Sequence, residues 1–178
     1  MEFMEYFIGF VASFVATLIF ALLLFIILKP RIKISDNIAC LNKGKENEFY
    51  KFKFYNNSYF KAFDIKFELL SCKEYEAQKN SEGVNVSMND ITLSNSQILF
   101  IEKYRKDKKN RYAHNCVTVR VENENLENVV SKANSYLEFR VTMKHGFSNL
   151  SGTFTKKYRT AKCIKNGDFE FGNNFNIS

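Results

Sequence analysis

Residues 7–28 read FIGFVASFVATLIFALLLFIIL, and this stretch decides how the chain is organised. It contains no charged residue, no Asn, no Gln and no Pro. As a helix it is roughly 33 Å long, which covers a bilayer hydrocarbon core of about 30 Å. A helix also pairs its own backbone donors and acceptors, which lipid requires. The stretch therefore predicts one membrane-spanning helix, with all later residues outside the bilayer.

The charges on either side of this stretch predict its orientation. Glu2 and Glu5 precede it without any Lys or Arg, whereas Lys29, Arg31 and Lys33 follow it. Positively charged flanks stay on the cytoplasmic side. We therefore expect a single-pass protein of the cell (inner) membrane, with its N-terminus outside and its C-terminal domain cytoplasmic. A cleaved signal peptide is the alternative, but it requires a basic start and an apolar run of about 7–15 residues.

Small side chains recur at every fourth position of the apolar stretch, at Gly9, Ser13, Thr17 and Ala21. Such a stripe lets two membrane helices approach closely. It predicts self-association through this face and a homo-oligomeric protein. The alternative is that the stripe reflects composition alone, because Ala12 and Ala16 are small as well.

The rest of the chain has the size and charge of one basic domain. We assign residues 1–28 to the tail and membrane helix, 29–35 to a basic juxtamembrane linker, and 36–178 to a cytosolic domain. All 26 Lys and Arg follow residue 28, against 17 acidic residues there (19 less Glu2 and Glu5), so this part carries a net charge of +9.

This positive charge predicts contact with anionic lipid head groups. We expect Lys29, Arg31 and Lys33 to make that contact, each contributing about 1 kcal/mol near the surface. The alternative is that the three residues only set the topology. No helix-turn-helix, zinc-finger or RNA-binding pattern accompanies the charge, so nucleic acid is not an expected partner. A cytosolic protein is a further candidate partner.

The residue types that carry catalysis or bind metals form no recognisable set. The four cysteines are widely separated, and His114 near Cys116 does not complete a zinc site. Neither His114 nor His145 has a nucleophile motif beside it, and the seven glycines form no phosphate-binding loop. We therefore predict a protein that is not an enzyme and needs no cofactor and no metal.

Alternating apolar and polar residues predict a domain built from strands. The predicted strands cover residues 31–41, 49–55, 62–70, 84–88, 98–104, 117–122, 137–144 and 153–164, with a short edge at 169–171. Residues 126–133 are the predicted soluble helix. This pattern favours an antiparallel β-sandwich, with a closed barrel as the alternative. The run KYRKDKKNR at 103–111 is either a solvated loop or a contact for lipid head groups or another polyanion.

Several segments occur in a recognisable order. Residues 28–33 read LKPRIK, and strand, Gly-containing turn, strand, polar break and strand follow at 34–41, 42–45, 49–55, 56–58 and 62–70. VRVENENL at 119–126 precedes the predicted short helix, and LEFRV at 137–141 begins the last hairpin. This order resembles the cytoplasmic immunoglobulin-like domain of the inward-rectifier potassium channel family. The resemblance implies an immunoglobulin-like sandwich, a four-fold ring, and phosphoinositide binding at the positions of Lys29, Arg31 and Lys33.

The chain departs from that family in the membrane. It has no first membrane helix, no pore helix and no Thr-x-Gly-Tyr-Gly filter sequence. Because potassium selectivity needs the filter carbonyls, the chain is not a potassium channel by itself. Two functional hypotheses follow. The first is a non-enzymatic, membrane-anchored protein whose cytosolic sandwich mediates binding, sensing or self-assembly. The second is an oligomeric membrane-perturbing effector, as in bacterial phage defence, triggered through the β domain.

Overall fold

The computed structural model describes residues 2–45, 47–76, 84–105, 113–122 and 124–178. In chain order its elements are α1 (Glu2–Leu28), β1 (Ile32–Ile34), β2 (Ile38–Leu41), β3 (Phe49–Asn56), β4 (Ala62–Glu76), β5 (Val84–Ile91), β6 (Gln97–Ile101), β7 (Cys116–Glu122), α2 (Leu126–Ser131), β8 (Ser135–His145), β9 (Ser151–Tyr158), a 3-10 turn (Ala161–Cys163) and β10 (Ile164–Asn166). Residues 78–83, a polar segment between two predicted strands that the sequence indicates as a loop, and residues 106–111 of the basic run lie outside the described residues.

The apolar stretch forms the long helix α1. Its segment Tyr6–Leu28 is long and apolar enough to cross a membrane, and the most apolar part of this segment is not buried inside the protein. A helix that is apolar on all sides and unpartnered in its own chain is typical of a membrane span. The helix begins at Glu2, five residues before the predicted stretch.

The first sheet is organised around β3. β7 pairs antiparallel with β3 along one edge, from Phe49–Glu122 to Tyr55–Cys116. The other edge of β3 is shared, because β1 pairs with its end and β2 with its beginning. The predicted strand at 31–41 is thus two strands separated by residues 35–37. β10 then pairs with β2 in parallel, a departure from the antiparallel arrangement of the other strand pairs in the described residues.

The second sheet is organised around β4 in a similar way. β8 pairs antiparallel with β4 over nearly its whole length, and β9 pairs antiparallel with β8. β5 and β6 share the other edge of β4. A bulge between Phe63 and Lys66 shifts the register near the start of β4, where Asp64 has a positive φ of 48°.

The core lies between the two sheets and is rich in aromatic side chains. Phe52 of β3 stacks on Phe139 of β8 with ring centroids 5.0 Å apart, and Phe54 meets Phe67 of β4 at 5.8 Å. Fully burying a side chain of this size stabilises the fold by about 1.5–3 kcal/mol. The Tyr158 hydroxyl donates to the Ser35 carbonyl at 2.7 Å, so the break between β1 and β2 is tied to β9. Burial raises the pKa of this Tyr158 hydroxyl.

The predicted fold class is confirmed at the level of a mainly β domain with two sheets, preceded by one apolar helix. The immunoglobulin-like assignment stays a prediction. Residues 32–34, which the sequence placed in the juxtamembrane linker, form β1 and belong to the first sheet. The predicted last strand at 153–164 is interrupted by the 3-10 turn, and its final residue begins β10.

Candidate functional site

The end of α1 is bonded directly to the sandwich. The Ser148 hydroxyl donates to the Leu28 carbonyl at 3.0 Å, and the Arg31 guanidinium donates to the Ile26 carbonyl at 3.1 Å. Carbonyls in the last turn of a helix have no partner within that helix, and a cation there also complements the helix dipole. Both contacts therefore cap α1 with groups from the soluble part of the chain.

The chain between α1 and β1 is short and held on several sides. The Arg31 backbone N–H donates to the Ser58 hydroxyl at 2.8 Å, and the Arg31 carbonyl accepts from the Asn57 backbone N–H at 2.9 Å. Pro30 is buried. A Cβ added at Gly152 would lie 2.9 Å from Pro30 Cγ, so only a glycine lets β9 approach this closely. We call this region of residues 28–31, 57–58 and 148–152 the junction.

Asn56, fully buried at the end of β3, holds the loop that supplies Ser58. Its side-chain amide donates to the Phe60 carbonyl at 2.9 Å and to the Glu102 carbonyl at 3.0 Å. Its side-chain oxygen accepts from the Ser58 backbone N–H at 2.9 Å. One side chain thus satisfies three backbone groups and fixes the position of Ser58 against Arg31.

His145, at the end of β8, lies behind Ser148 and is buried. Its Nδ1 is 3.0 Å from the Ser148 hydroxyl and accepts from the Ser148 backbone N–H at 3.3 Å. Its Nε2 is buried and has no hydrogen-bond partner in the described part of the chain. Burial lowers the pKa of His145, so the ring is held neutral next to the contact with Leu28.

A cleft of about 500 Å³ opens between the end of α1 and the sandwich. Its apolar walls include Phe25, Ile26 and Phe154, and its cationic lining residues are Lys29 and Arg31. The structure thus brings two of the three predicted lipid-contact residues together. Lys33 is exposed on β1 and does not line the cleft.

The predicted self-association residues Gly9, Ser13, Thr17 and Ala21 are all exposed on α1. The Thr17 hydroxyl donates to the Ser13 carbonyl at 2.8 Å, so this hydroxyl is satisfied within the helix. A Cβ at Gly9 would meet no atom within 4 Å. Self-association through this stripe stays a prediction.

The cysteines and the candidate metal ligands are dispersed. Cys40 and Cys72 are buried free thiols, and burial raises the pKa of both. Burial raises the pKa of the half-buried Cys116 thiol to about 11, so it is a thiol rather than a nucleophilic thiolate at neutral pH. Among the described residues, no three His, Cys, Asp or Glu side chains are grouped so that they could hold a metal ion.

A larger cleft of about 580 Å³ lies on the outer side of the second sheet, beside the β4 bulge. Asp64 and Lys144 on its wall form an exposed ion pair with each other at 2.8 Å. Beyond this pair, Lys66 is the charged residue that lines the described part of the cleft, so no group of like charges is concentrated there.

The sequence missed the polar side chains that build the junction. Ser58 and Asn56 lie in the segment predicted as a polar break, and Ser148 lies in the predicted hairpin connection. Ser58 contacts a residue 27 positions away and Ser148 one 120 positions away, so no local pattern indicates either contact. No protein-family model matches the chain, and no curated protein matches its sequence.

Proposed function

We propose that the protein is a non-enzymatic, single-pass membrane protein whose β-sandwich is held directly against the cytoplasmic face of the inner membrane. There the sandwich mediates binding, sensing or self-assembly. The orientation is supported by the cationic residues that follow α1 and by the absence of Lys and Arg before it. The two capping contacts at Leu28 and Ile26, together with the bond from the Arg31 N–H to Ser58, support a sandwich that stays beside the bilayer rather than on a flexible tether.

The observation that carries this proposal is the cleft at the end of α1. Its apolar wall begins on the helix at Phe25 and Ile26, and Lys29 and Arg31 lie where the helix leaves the hydrocarbon. An anionic phospholipid has the same order of groups, with an acyl chain along the helix and a negative head group at the membrane surface. Basic residues near an anionic surface contribute about 1 kcal/mol each. We infer that the cleft binds the head group of an anionic lipid, with Lys33 adding to the local positive charge.

Lipid retention tests the proposal. The full-length protein is extracted from nanodiscs of phosphatidylglycerol and phosphatidylcholine, and retained lipid is measured by native mass spectrometry. Lys29→Gln with Arg31→Gln should lose most of the retained phosphatidylglycerol, and Lys33→Gln should lose less. The matched control is Lys45→Gln with Lys73→Gln, two exposed lysines away from the junction. Equal retention by both double variants would refute the lipid assignment.

The second candidate is an oligomeric membrane-perturbing effector triggered through the β domain. Two features favour it. The first is the small-residue stripe on α1. The second is the junction, whose contacts would transmit a movement of the sandwich directly to the helix. We propose that Gly9, Ser13, Thr17 and Ala21 form the contact between α1 helices of a homo-oligomer. A cytosolic protein partner that binds the sandwich would be one source of the trigger.

Helix association and growth together test this candidate. Gly9→Leu with Thr17→Leu should lower the oligomer mass of the full-length protein in detergent, measured by light scattering. Val11→Leu with Val15→Leu is the control, because positions two residues away lie about 200° around the helix. An effector should also stop growth and depolarise the membrane on overexpression, and the Gly9 and Thr17 variant should not. Normal growth with an intact membrane potential in cells that express the unaltered chain would contradict the effector hypothesis.

A further inference from the structure

Large apolar side chains are exposed around the junction. Their exposed fractions are 65% for Tyr59, 38% for Phe63, 49% for Phe100, 70% for Phe147 and 40% for Leu150. We call these five residues the aromatic apex. They come from two loops and from the adjoining ends of β4 and β6, which are far apart in sequence.

The aromatic apex is held together by ring contacts. Phe60 stacks on Phe147 with ring centroids 5.3 Å apart and meets His145 edge-on at 5.2 Å. Phe63 lies 6.4 Å from Phe100. A Cβ at Gly146 would lie 2.8 Å from the Phe63 ring, so the loop that carries Phe147 lies directly on Phe63. Phe147, Phe63 and Phe100 are therefore neighbours in one surface, and Tyr59 adjoins it through Phe60, the next residue in the chain.

This surface begins where α1 ends. Ser148, which bonds to the Leu28 carbonyl, follows Phe147 in the chain, and Ser58, which bonds to Arg31, precedes Tyr59. Two of the most exposed residues of the apex are thus one residue away from the groups that hold the helix end. Any bilayer that contains α1 must end close to Leu28, next to these side chains.

The charges around the aromatic apex also suit a membrane surface. Lys29 is exposed at the helix end, and Lys61 follows Phe60 in the loop. The Lys61 ammonium group lies 5.6 Å from the centre of the Phe100 ring and pairs with Glu102 at 2.7 Å. Tyr59 has the apolar ring and polar hydroxyl that are typical of side chains at the membrane interface. Phe and Leu side chains beside lysines are the combination that lies at the boundary of head groups and acyl chains in interfacial segments.

We propose that the aromatic apex is immersed in the interfacial region of the bilayer, so that the sandwich touches lipid through Phe147 and Tyr59 as well as through α1. The partner of this surface is the lipid itself. The inference rests on the proposed membrane insertion of α1, and it adds a second point of attachment. Two attachments fix the tilt of the sandwich on the membrane, which one helix alone does not.

Tryptophan fluorescence tests the aromatic apex, because the chain has no Trp and any introduced Trp is the single one. Full-length Phe147→Trp, Phe14→Trp and Tyr75→Trp proteins are reconstituted in phosphatidylcholine and phosphatidylglycerol vesicles, with and without bromine on the acyl chains. Phe14 lies within α1, and Tyr75 lies twelve residues beyond Phe63 in β4, roughly 40 Å along the strand. The bromine is placed on the acyl-chain carbons nearest the head group, where it quenches tryptophans in the interfacial region as well as those deeper in the bilayer.

We expect Phe147→Trp and Phe14→Trp to lose most of their fluorescence in brominated vesicles, whereas Tyr75→Trp keeps it. If Phe14→Trp is quenched and Phe147→Trp is not, the aromatic apex is not in the bilayer although the helix is. A blue-shifted but unquenched Phe147→Trp would mean that a second protein copy covers the apex, which also overturns the proposal. If Phe14→Trp itself is unquenched, the membrane insertion of α1 is wrong and both proposals fail.

Discussion

Replacing Asn56 by Ala should destabilise the sandwich and release the loop at the junction. The substitution removes three hydrogen bonds of 2.9, 3.0 and 2.9 Å, made to Phe60, Glu102 and Ser58. The side chain has no exposed surface, so the three backbone groups lose their partner in a region from which water is largely excluded. Water cannot readily replace these bonds.

The expected loss is about 3–5 kcal/mol, since a net hydrogen bond contributes about 1 kcal/mol and a buried group left unpaired costs about 1–3 kcal/mol. The three losses do not add fully, because the loop relaxes once Asn56 no longer holds it. A loss of this size is a large fraction of the total stability of a single domain, about 5–15 kcal/mol. The magnitude is therefore easy to measure.

The assay is urea unfolding of the full-length protein in detergent, followed by tyrosine fluorescence and near-ultraviolet circular dichroism. The control is Asn57→Ala, the same change one residue later, where the contact with Arg31 is made by the backbone N–H and survives. We expect Asn57→Ala to cost less than about 1 kcal/mol. An Asn56→Ala protein as stable as the Asn57→Ala protein would refute the role assigned to Asn56.

Two other changes have definite expected outcomes, one at His145 beside the junction and one at Gly152 within it. Burial lowers the pKa of His145 from its ordinary value of about 6.5, so the folded chain binds fewer protons than the unfolded chain. The free energy of unfolding should therefore fall as the pH drops below about 6.5 and level off below the pKa that His145 has in the folded protein. Urea midpoints measured across this pH range should lose this pH dependence in His145→Asn and keep it in the control His114→Asn. Gly152→Val should cost about 1–3 kcal/mol in thermal or urea unfolding, because its side chain would collide with Pro30 at the end of α1. A Gly152→Val protein of unchanged stability would show that β9 and Pro30 are not closely packed.

The elements with a strong local pattern could be predicted from the sequence. α1 could be predicted because residues 7–28 carry no charge, which is unusual for a helix of a soluble domain. β3 could be predicted from Tyr50, Phe52 and Phe54, which alternate with lysines and face the core. α2 was predicted from its apolar spacing, and it begins after Asn125, whose side chain caps the helix by accepting from the Asn128 N–H. In each case the residues that decide the structure are neighbours in the chain.

Elements that depend on distant partners were harder to predict. The strand predicted at 62–70 continues to Glu76, because Leu70 and Cys72 are buried with Tyr136 in a second, smaller apolar cluster. The consecutive buried residues Leu69 and Leu70 break the alternation of apolar and polar side chains, so the pattern alone gave no reason to extend the strand. The parallel pairing of β10 with β2 likewise joins residues more than 120 positions apart, and no local signal indicates it.

The candidate site likewise has some residues that the sequence identified and others that depend on distant partners. Lys29, Arg31 and Lys33 were identified by charge next to an apolar stretch, which is a local feature. Arg31 has an additional role that charge did not predict, because its guanidinium caps the helix at Ile26. Ser148 and His145 come into the site only because β8 ends beside α1, and that arrangement follows from the pairing of His145 with Ala62 in the second sheet.

The junction joins α1 and the sandwich through direct hydrogen bonds. Lys29 and Arg31 of the apolar cleft, and Tyr59 and Phe147 of the aromatic apex, all lie within a few residues of the contacts to Leu28 and Arg31. A change in lipid charge at this surface would therefore act on the same residues that fix the end of the helix. In the proposed function, this proximity would let the sandwich sense or respond to the membrane beside it.

Membrane topology tests the central claim most directly. Green fluorescent protein and alkaline phosphatase are fused in turn after Ser178 of the full-length chain and expressed in a bacterial cell. A helix that spans the inner membrane with its sandwich in the cytosol predicts a membrane-bound, bright fluorescent fusion and an inactive phosphatase fusion. An active phosphatase with a dark fluorescent fusion, or a fluorescent fusion that stays in the soluble fraction, would contradict the account.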